Sequence, residues 1–179
     1  QRGAQAGDVG GARFQARKHD QHGQGQIGQP PCDMADPRQR RDAAAMAACY
    51  HRDVHFTDEV FPDLRGPQAG AMWAMLCARG KDLRVEPSAI TADDAQGRAR
   101  WDAWYTFSGS GRPVHNIIQA EFGFRDGLIV RHVDRFDFQR WARQALGVSG
   151  LVLGGTRFMR RKVQTTAARS LAVWMAAPR

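Results

Sequence analysis

The strongest constraint on the fold lies between residues 83 and 137, where apolar and polar residues alternate through four successive segments. Their period of two is typical of β-strands with one buried face, and the segments are 83–90, 98–108, 113–124 and 128–137. Short connections rich in Gly, Asp and Ser separate the segments, at 93–97, 108–112 and 125–127. The pattern predicts an antiparallel meander. Because helix-forming sequence precedes it, the chain is typical of an α+β fold.

Helices are predicted on both sides of the meander. Residues 41–50 are rich in strong helix formers, and Val54 and Phe56 then alternate with polar residues as a short strand. A second helix is predicted from Pro67, which suits a first helical turn, to Gly80, which suits a helix end. Two further helices are predicted after the meander, at 141–146 and 157–175.

The composition divides the chain into three parts. Residues 1–37 are rich in Gln and Gly and show no period, which predicts either a disordered segment or sequence that is not native to the protein. Residues 38–146 contain the predicted domain. Residues 147–179 predict a basic, amphipathic C-terminal helix.

Positive charge is concentrated at the C-terminus. The chain has 26 Lys and Arg against 18 Asp and Glu, and eight of the cations but none of the acidic residues follow Asp137. The rest of the chain is therefore balanced, which argues against nucleic acid as a partner. The basic tail suits weak contact with an anionic membrane surface, or packing of its apolar face on the domain or on a second subunit. The sequence alone leaves these alternatives open.

Several other classes of protein are disfavoured. His51 and His55 lie near acidic residues without a recognised metal spacing, so we predict neither a metal nor another cofactor. No apolar run reaches the ~18–20 residues of a membrane span, and no signal segment is visible. The three cysteines lack the spacing of a disulfide framework. We therefore predict reduced thiols and a cytoplasmic protein.

The last turn of the meander decides which side chains of the final strand face the core. If 125–127 is a three-residue hairpin loop, His132 and Asp134 lie on the inner side, together with the apolar face of the preceding strand. If the loop has only two residues, the register moves by one and both side chains face outward. The three-residue loop is favoured, since it also keeps the neighbouring arginines on the outer face.

Three segments resemble a known superfamily: YHRDVHFTDE at 50–59, LRGPQAGAMW at 64–73 and FRDGLIVRHVDRFD at 124–137. They are similar to nuclear transport factor 2-like proteins, specifically to the SnoaL-like and ketosteroid isomerase-related branch, over about Arg41 to Trp141. The resemblance implies a cystatin-like cone, in which helices wrap a curved antiparallel sheet around a pocket.

The resemblance also implies roles for particular residues. In ketosteroid isomerases an Asp that follows the first short strand is the general base, and Asp58 holds the matching position. The oxyanion hole of those enzymes has an Asp where this chain has Ala120, and a Tyr from a helix that would precede Arg41. Steroid isomerisation by that oxyanion hole is therefore not expected. His132 and Asp134 match pocket-lining positions on the last strand.

The candidate site combines acid–base residues with an apolar lining. Asp58 would remove a proton from a carbon next to a carbonyl group, because an apolar pocket raises the pKa of a carboxyl group. His132 and Asp134 would be a second acid–base or water-positioning group. Seven residues are predicted to bind the ligand through aromatic or aliphatic walls and hydrogen-bond donors: Phe56, Trp73, Trp101, Tyr105, Asn116, Ile118 and Phe136.

Three functions fit these observations. The first is a cofactor-independent acid–base enzyme of the isomerase, cyclase, dehydratase or epoxide hydrolase type, acting on a small apolar carbonyl or cyclic compound. The second is a binding module with the same pocket and no catalysis. The third is an interaction module that dimerises through the outer face of the sheet. We predict a homodimer with a small apolar organic ligand.

Overall fold

The computed structural model describes residues 43–177, so the predicted segment 1–37 lies outside the described residues. The elements follow the order α1 (Ala43–Ala48), β1 (Tyr50–Thr57), β2 (Leu64–Arg65), α2 (Pro67–Arg79), β3 (Arg84–Ala92), β4 (Gln96–Phe107), β5 (Arg112–Arg125), β6 (Leu128–Phe136), α3 (Phe138–Leu146), α4 (Val148–Leu153) and α5 (Arg157–Ala176). The predicted α+β class is confirmed. The short strand β2 and the helix α4 were not predicted.

A single curved sheet contains the six strands in the order β2-β1-β6-β5-β4-β3. The meander from β3 to β6 is antiparallel, as predicted. One pairing differs from the predicted all-antiparallel sheet, because β1 lies parallel to β6. This pair joins the first strand to the last one. Because the two strands are parallel, their C-terminal ends lie at the same edge of the sheet.

The hairpin between β5 and β6 has a two-residue loop. Asp126 and Gly127 both have positive φ angles, 54° and 74°, and Arg125 pairs with Leu128. The prediction of a three-residue loop was therefore wrong. Positive φ at both central positions is typical of the tight hairpin turn that follows the right-handed twist of paired strands.

A β-bulge next to this turn restores the predicted orientation of β6. Phe124 pairs with Ile129, whereas Gly123 pairs with Arg131, so Val130 is an extra residue on β6. The extra residue moves the register by one and places His132 opposite Phe122. The side chains of His132 and Asp134 consequently point into the domain, where their residues are 0% and 6% exposed.

Helices α2, α3 and α5 close the inner face of the sheet. Helix α2 packs on it through Ala69, Met72 and Met75, which are all buried. Helix α5 packs against α2 and buries Leu171 in the same core. This contact shows that part of the basic C-terminal region packs on the domain, one of the alternatives that the sequence left open.

Two further predictions concern the environment of the chain. Cys49 is buried and disulfide-bonded, so the prediction of reduced thiols is wrong for this residue, and it no longer supports a cytoplasmic location. Among the helices at residues 43–177, none has the length and apolar character needed to cross a membrane.

Candidate active site

A cavity of about 710 Å³ lies between the inner face of the sheet and the helices α2, α3 and α5. Its volume is within the range of pockets for drug-sized ligands. All the residues predicted for the site line this cavity: Phe56, Asp58, Trp73, Trp101, Tyr105, Asn116, Ile118, His132, Asp134 and Phe136. The structure therefore brings together residues of four strands and a helix that are distant in sequence, while the chemical roles of these residues stay predictions.

Asp58 occupies the first position after β1. Its Oδ1 atom accepts hydrogen bonds from the backbone N–H groups of Val60, at 2.7 Å, and Phe61. Burial, with a smaller contribution from the nearby charge of Asp134, raises the pKa of Asp58 to about 7, against the lowering effect of the hydrogen bonds from the Phe61 and Val60 N–H groups. Asp58 is thus a carboxyl group that titrates near neutral pH at the cavity wall.

The parallel pairing of β1 and β6 explains why two carboxyl groups meet here. Phe56 pairs with His132, and Thr57 pairs with Val133. Asp58 comes two residues after Phe56, and Asp134 comes two residues after His132. Side chains two residues apart in an extended chain lie on the same face. Both carboxyl groups therefore lie at the same end of the cavity.

A chain of three side-chain hydrogen bonds extends from α2 to β6. Trp73 Nε1 donates to the Tyr50 hydroxyl oxygen at 2.8 Å, this hydroxyl lies 2.7 Å from His132 Nδ1, and His132 Nε2 lies 2.9 Å from Asp134 Oδ1. The indole N–H can only donate, so the Tyr50 oxygen accepts from Trp73. In the tautomer with its proton on Nε2, His132 donates to Asp134, and its Nδ1 accepts from the Tyr50 O–H.

This arrangement leaves no ring nitrogen of His132 free to meet a ligand. Both nitrogens are in hydrogen bonds, and the rings of Phe122 and Phe56 pack against the imidazole at centroid distances of 4.5 and 4.9 Å. The imidazole is therefore held in one orientation. Its contact with Asp134 Oδ1 holds that carboxyl group in place at the cavity wall.

Tyr50 is the member of this hydrogen-bond chain that sequence reasoning missed. The prediction placed it at the end of a helix, whereas it begins β1. Burial raises the pKa of Tyr50 well above its ordinary value, so its hydroxyl stays protonated and remains a donor. Tyr50, Val54 and Phe56 are separated by even numbers of residues, and this spacing was the signal in the sequence that Tyr50 belongs to the strand.

Tyr105 and Asn116 offer hydrogen-bond donors to the cavity. The Tyr105 oxygen accepts a hydrogen bond from Trp141 Nε1 at 2.9 Å, so its own O–H proton is available to a ligand. Burial raises the pKa of Tyr105 to about 12, and the charge of Asp58 contributes to this rise. Asn116 lines the cavity, and the residue is 7% exposed.

Comparison with protein families gives a match to the SnoaL-like domain over residues 34–132, which is more than half of the 179-residue chain. The chain belongs to the SnoaL-like family. This confirms the resemblance that the sequence motifs indicated. A comparison with curated proteins gave no match.

Solved structures share the fold of this SnoaL-like protein. An LEH-like epoxide hydrolase from M. tuberculosis is 20% identical, with a TM-score of 0.51 over 65% of this chain and 89% of that one. A protein with a ketosteroid isomerase-like fold from Catenulispora acidiphila, solved with trimethylamine, is 13% identical, with a TM-score of 0.51 over 57% and 81%. An NTF2-like protein of unknown function from Burkholderia pseudomallei is 17% identical, with a TM-score of 0.52 over 60% and 88%.

Proposed function

We propose that this protein is a cofactor-independent acid–base enzyme that removes a proton from the carbon next to the carbonyl group of a small, apolar, cyclic compound. The observation that carries the proposal is the Asp58 carboxyl group, which lines the cavity and has a pKa of about 7. A base with a pKa near the operating pH is available in its ionised form and is still basic enough to accept a proton.

Removal of this proton places negative charge on the carbonyl oxygen, and the enzyme needs donors for that oxygen. Tyr105 supports the proposal because it lines the same cavity and remains protonated, with a pKa of about 12. The buried amide of Asn116 supplies a second donor. Donors that are held in place before the reaction stabilise the developing charge without reorganisation.

Asp134 is the second carboxyl group of the proposed mechanism. Its carboxylate orients a water molecule, while the proton that Asp58 has accepted returns from Asp58 to another atom of the substrate. His132 is then a positioning residue, since both of its nitrogens are occupied and one of them holds Asp134 Oδ1 at 2.9 Å. The buried imidazole, at 0% exposure, fixes the carboxyl group toward the cavity.

The lining of the cavity supports an apolar, ring-containing substrate. Trp73, Trp101, Phe56 and Phe136 supply aromatic walls. The carboxyl groups of Asp58 and Asp134 lie at one end of the cavity. A two- to four-ring carbonyl compound fits a cavity of about 710 Å³. Isomerisation and ring closure both begin with such a proton transfer, so they are the reactions that the site favours.

A non-catalytic binding protein is the second candidate function. The largely apolar cavity favours it as strongly as it favours an enzyme, because binding needs only the walls. The two candidates differ in Asp58, which a binding protein does not need in ionisable form.

Deuterium exchange into 2-tetralone tests the proposal. This two-ring ketone has acidic protons next to its carbonyl group, and proton NMR in D₂O follows their loss. We expect the protein to accelerate the exchange above the rate in buffer, and Asp58→Asn to lose at least 90% of the acceleration. Asp63→Asn, which changes an exposed carboxylate in the same loop, is the matched control and should retain it.

Thermal shift with 2-tetralone separates the two candidates. Stabilisation of both wild type and Asp58→Asn, together with exchange by the wild type alone, supports the enzyme. Stabilisation without any accelerated exchange would leave the binding protein as the function. Exchange that Asp58→Asn retains in full would overturn the assignment of the base.

A further inference from the structure

Five large apolar side chains are exposed together where α4 meets α5. Val148, Leu151 and Val152 are 78%, 60% and 70% exposed, and Phe158 is 67% exposed; Leu153 completes the group. We call these five residues the α4–α5 surface. Isolated exposed apolar residues are common, but five of them within eleven positions form a patch, and such patches mark interaction sites.

The packing of α4 explains why these side chains face outward. Gly150 is buried against α3, and a Cβ atom at this position would lie 1.8 Å from the carbonyl oxygen of Ala142. The glycine side of α4 is therefore pressed against α3, which turns Leu151 and Val152 away from the domain. The exposure results from a close helix–helix contact, so it is a fixed property of the fold.

Exposed cations lie on α3, which packs on α4, and on α5. They are Arg143 on α3 and Arg157, Arg161 and Lys162 on α5, and no acidic residue follows Asp137 in the sequence. Arg160 does not add to this charge, since it forms an ion pair with Glu59. The α4–α5 surface thus combines an apolar centre with a positively charged border.

We propose that the α4–α5 surface docks on an anionic lipid bilayer. Leucine, valine and phenylalanine side chains insert at the level of the acyl chains, while arginines and a lysine contact the headgroups, which is how amphipathic surfaces bind membranes. A second copy of this chain is a poorer occupant, because its identical cations would meet these ones with repulsion. The proposal is independent of the proposed enzymatic function.

Docking in this orientation places the cavity close to the lipid. Leu153, Phe158 and Lys162 belong to the α4–α5 surface or its border, and all three also line the cavity. An apolar compound dissolved in the bilayer would therefore reach the cavity with a short path through water.

Flotation of the full-length protein with lipid vesicles tests the proposal. We expect binding to vesicles of phosphatidylcholine with 30% phosphatidylserine, at least tenfold weaker binding to pure phosphatidylcholine, and release at 0.5 M NaCl. Leu151→Ser with Val152→Ser should weaken binding at least fivefold, because it removes apolar contacts outside the cavity. Arg157→Glu with Arg161→Glu should weaken it at least tenfold.

A matched variant distinguishes the surface from net charge. Arg52→Glu with Arg98→Glu changes two exposed arginines on the sheet by the same total charge, and it should bind like the wild type. Equal loss in both double variants, or no binding to the anionic vesicles, would refute the docking surface. Loss of a dimer in Leu151→Ser with Val152→Ser, measured by sedimentation velocity without vesicle binding by wild type, would assign the surface to self-association instead.

Discussion

Phe56 and His132 face each other across the parallel β1–β6 pair, with ring centroids 4.9 Å apart, and each is followed two residues later by a carboxyl group of the cavity wall. This relationship places Asp58 and Asp134 at one end of the cavity. The charge of Asp134 helps burial to raise the pKa of Asp58. The β1–β6 pairing thus brings the two carboxyl groups together, and their proximity contributes to the raised pKa of Asp58.

The raised pKa of Asp58 predicts how stability depends on pH. The folded protein holds this proton up to about pH 7, whereas an unfolded Asp releases it near pH 4. The favourable contribution of the neutral group is therefore complete below pH 4 and is lost as the pH rises through 7. Asp58→Asn stays neutral and still offers an oxygen to the Val60 N–H. We expect it to be more stable than the wild type by about 4 kcal/mol at pH 8 and equal to it near pH 4.

Urea unfolding of both proteins at pH 4 and pH 8 measures this difference. Asp63→Asn is the control, since Asp63 is exposed at the surface and pairs there with His55 and Arg65, and it should change the free energy of unfolding by less than about 0.5 kcal/mol. A stabilisation by Asp58→Asn that is the same at both pH values would show that Asp58 has an ordinary pKa.

The Tyr50 hydroxyl has two partners, and its removal should be costly. Tyr50→Phe leaves Trp73 Nε1 and His132 Nδ1 without their hydrogen bonds. Each unsatisfied buried group costs about 1–3 kcal/mol, so we expect a loss of about 2–4 kcal/mol in the free energy of unfolding. Tyr105→Phe is the matched comparison, because it deprives only Trp141 Nε1 and should cost about half as much. Equal losses in urea unfolding would contradict the hydrogen-bond chain from Trp73 to Asp134.

The sequence predicted the meander closely, because period-two alternation and turn residues are local signals. Strand β5, for example, was predicted at 113–124 and extends over Arg112–Arg125. The parallel pairing of β1 with β6 was not predicted, since alternation indicates a strand but not its partner some 75 residues away. Tyr50 was assigned to a helix because the helix formers before it continue without interruption up to Cys49.

The inward orientation of His132 was predicted correctly, although the loop length on which the prediction rested was wrong. A two-residue loop at Asp126 and Gly127 would by itself turn this side chain outward, and the bulge at Val130 reverses that effect. A bulge adds one residue to a strand without changing its apolar pattern, so composition carried no signal of it. Seven of the predicted site residues precede the loop between β5 and β6, and their predicted orientation was therefore insensitive to this error.

The rate of proton exchange should follow the ionisation of Asp58. With 2-tetralone as substrate, we expect the accelerated exchange to rise with pH through a midpoint near 7, because only the ionised carboxylate accepts a proton. Asp134→Asn removes a negative charge that raises this pKa, while its amide oxygen still accepts from His132. The midpoint of this variant should therefore move to lower pH. A midpoint that is unchanged, measured by proton NMR between pH 5 and 9, would show that the two carboxyl groups are not coupled.

The packing of α5 on the domain predicts unequal effects at two neighbouring positions of one helix. Leu171 is 3% exposed in the core that α5 shares with α2, whereas Val173 is 73% exposed on the same helix. Leu171→Ala removes buried methyl groups and leaves a cavity, so we expect a loss of about 2–4 kcal/mol in the free energy of unfolding. Val173→Ala makes a similar reduction in size and should change it by less than about 0.5 kcal/mol. Urea unfolding at pH 7 measures both, and a small effect of Leu171→Ala would mean that α5 does not close the cavity in solution.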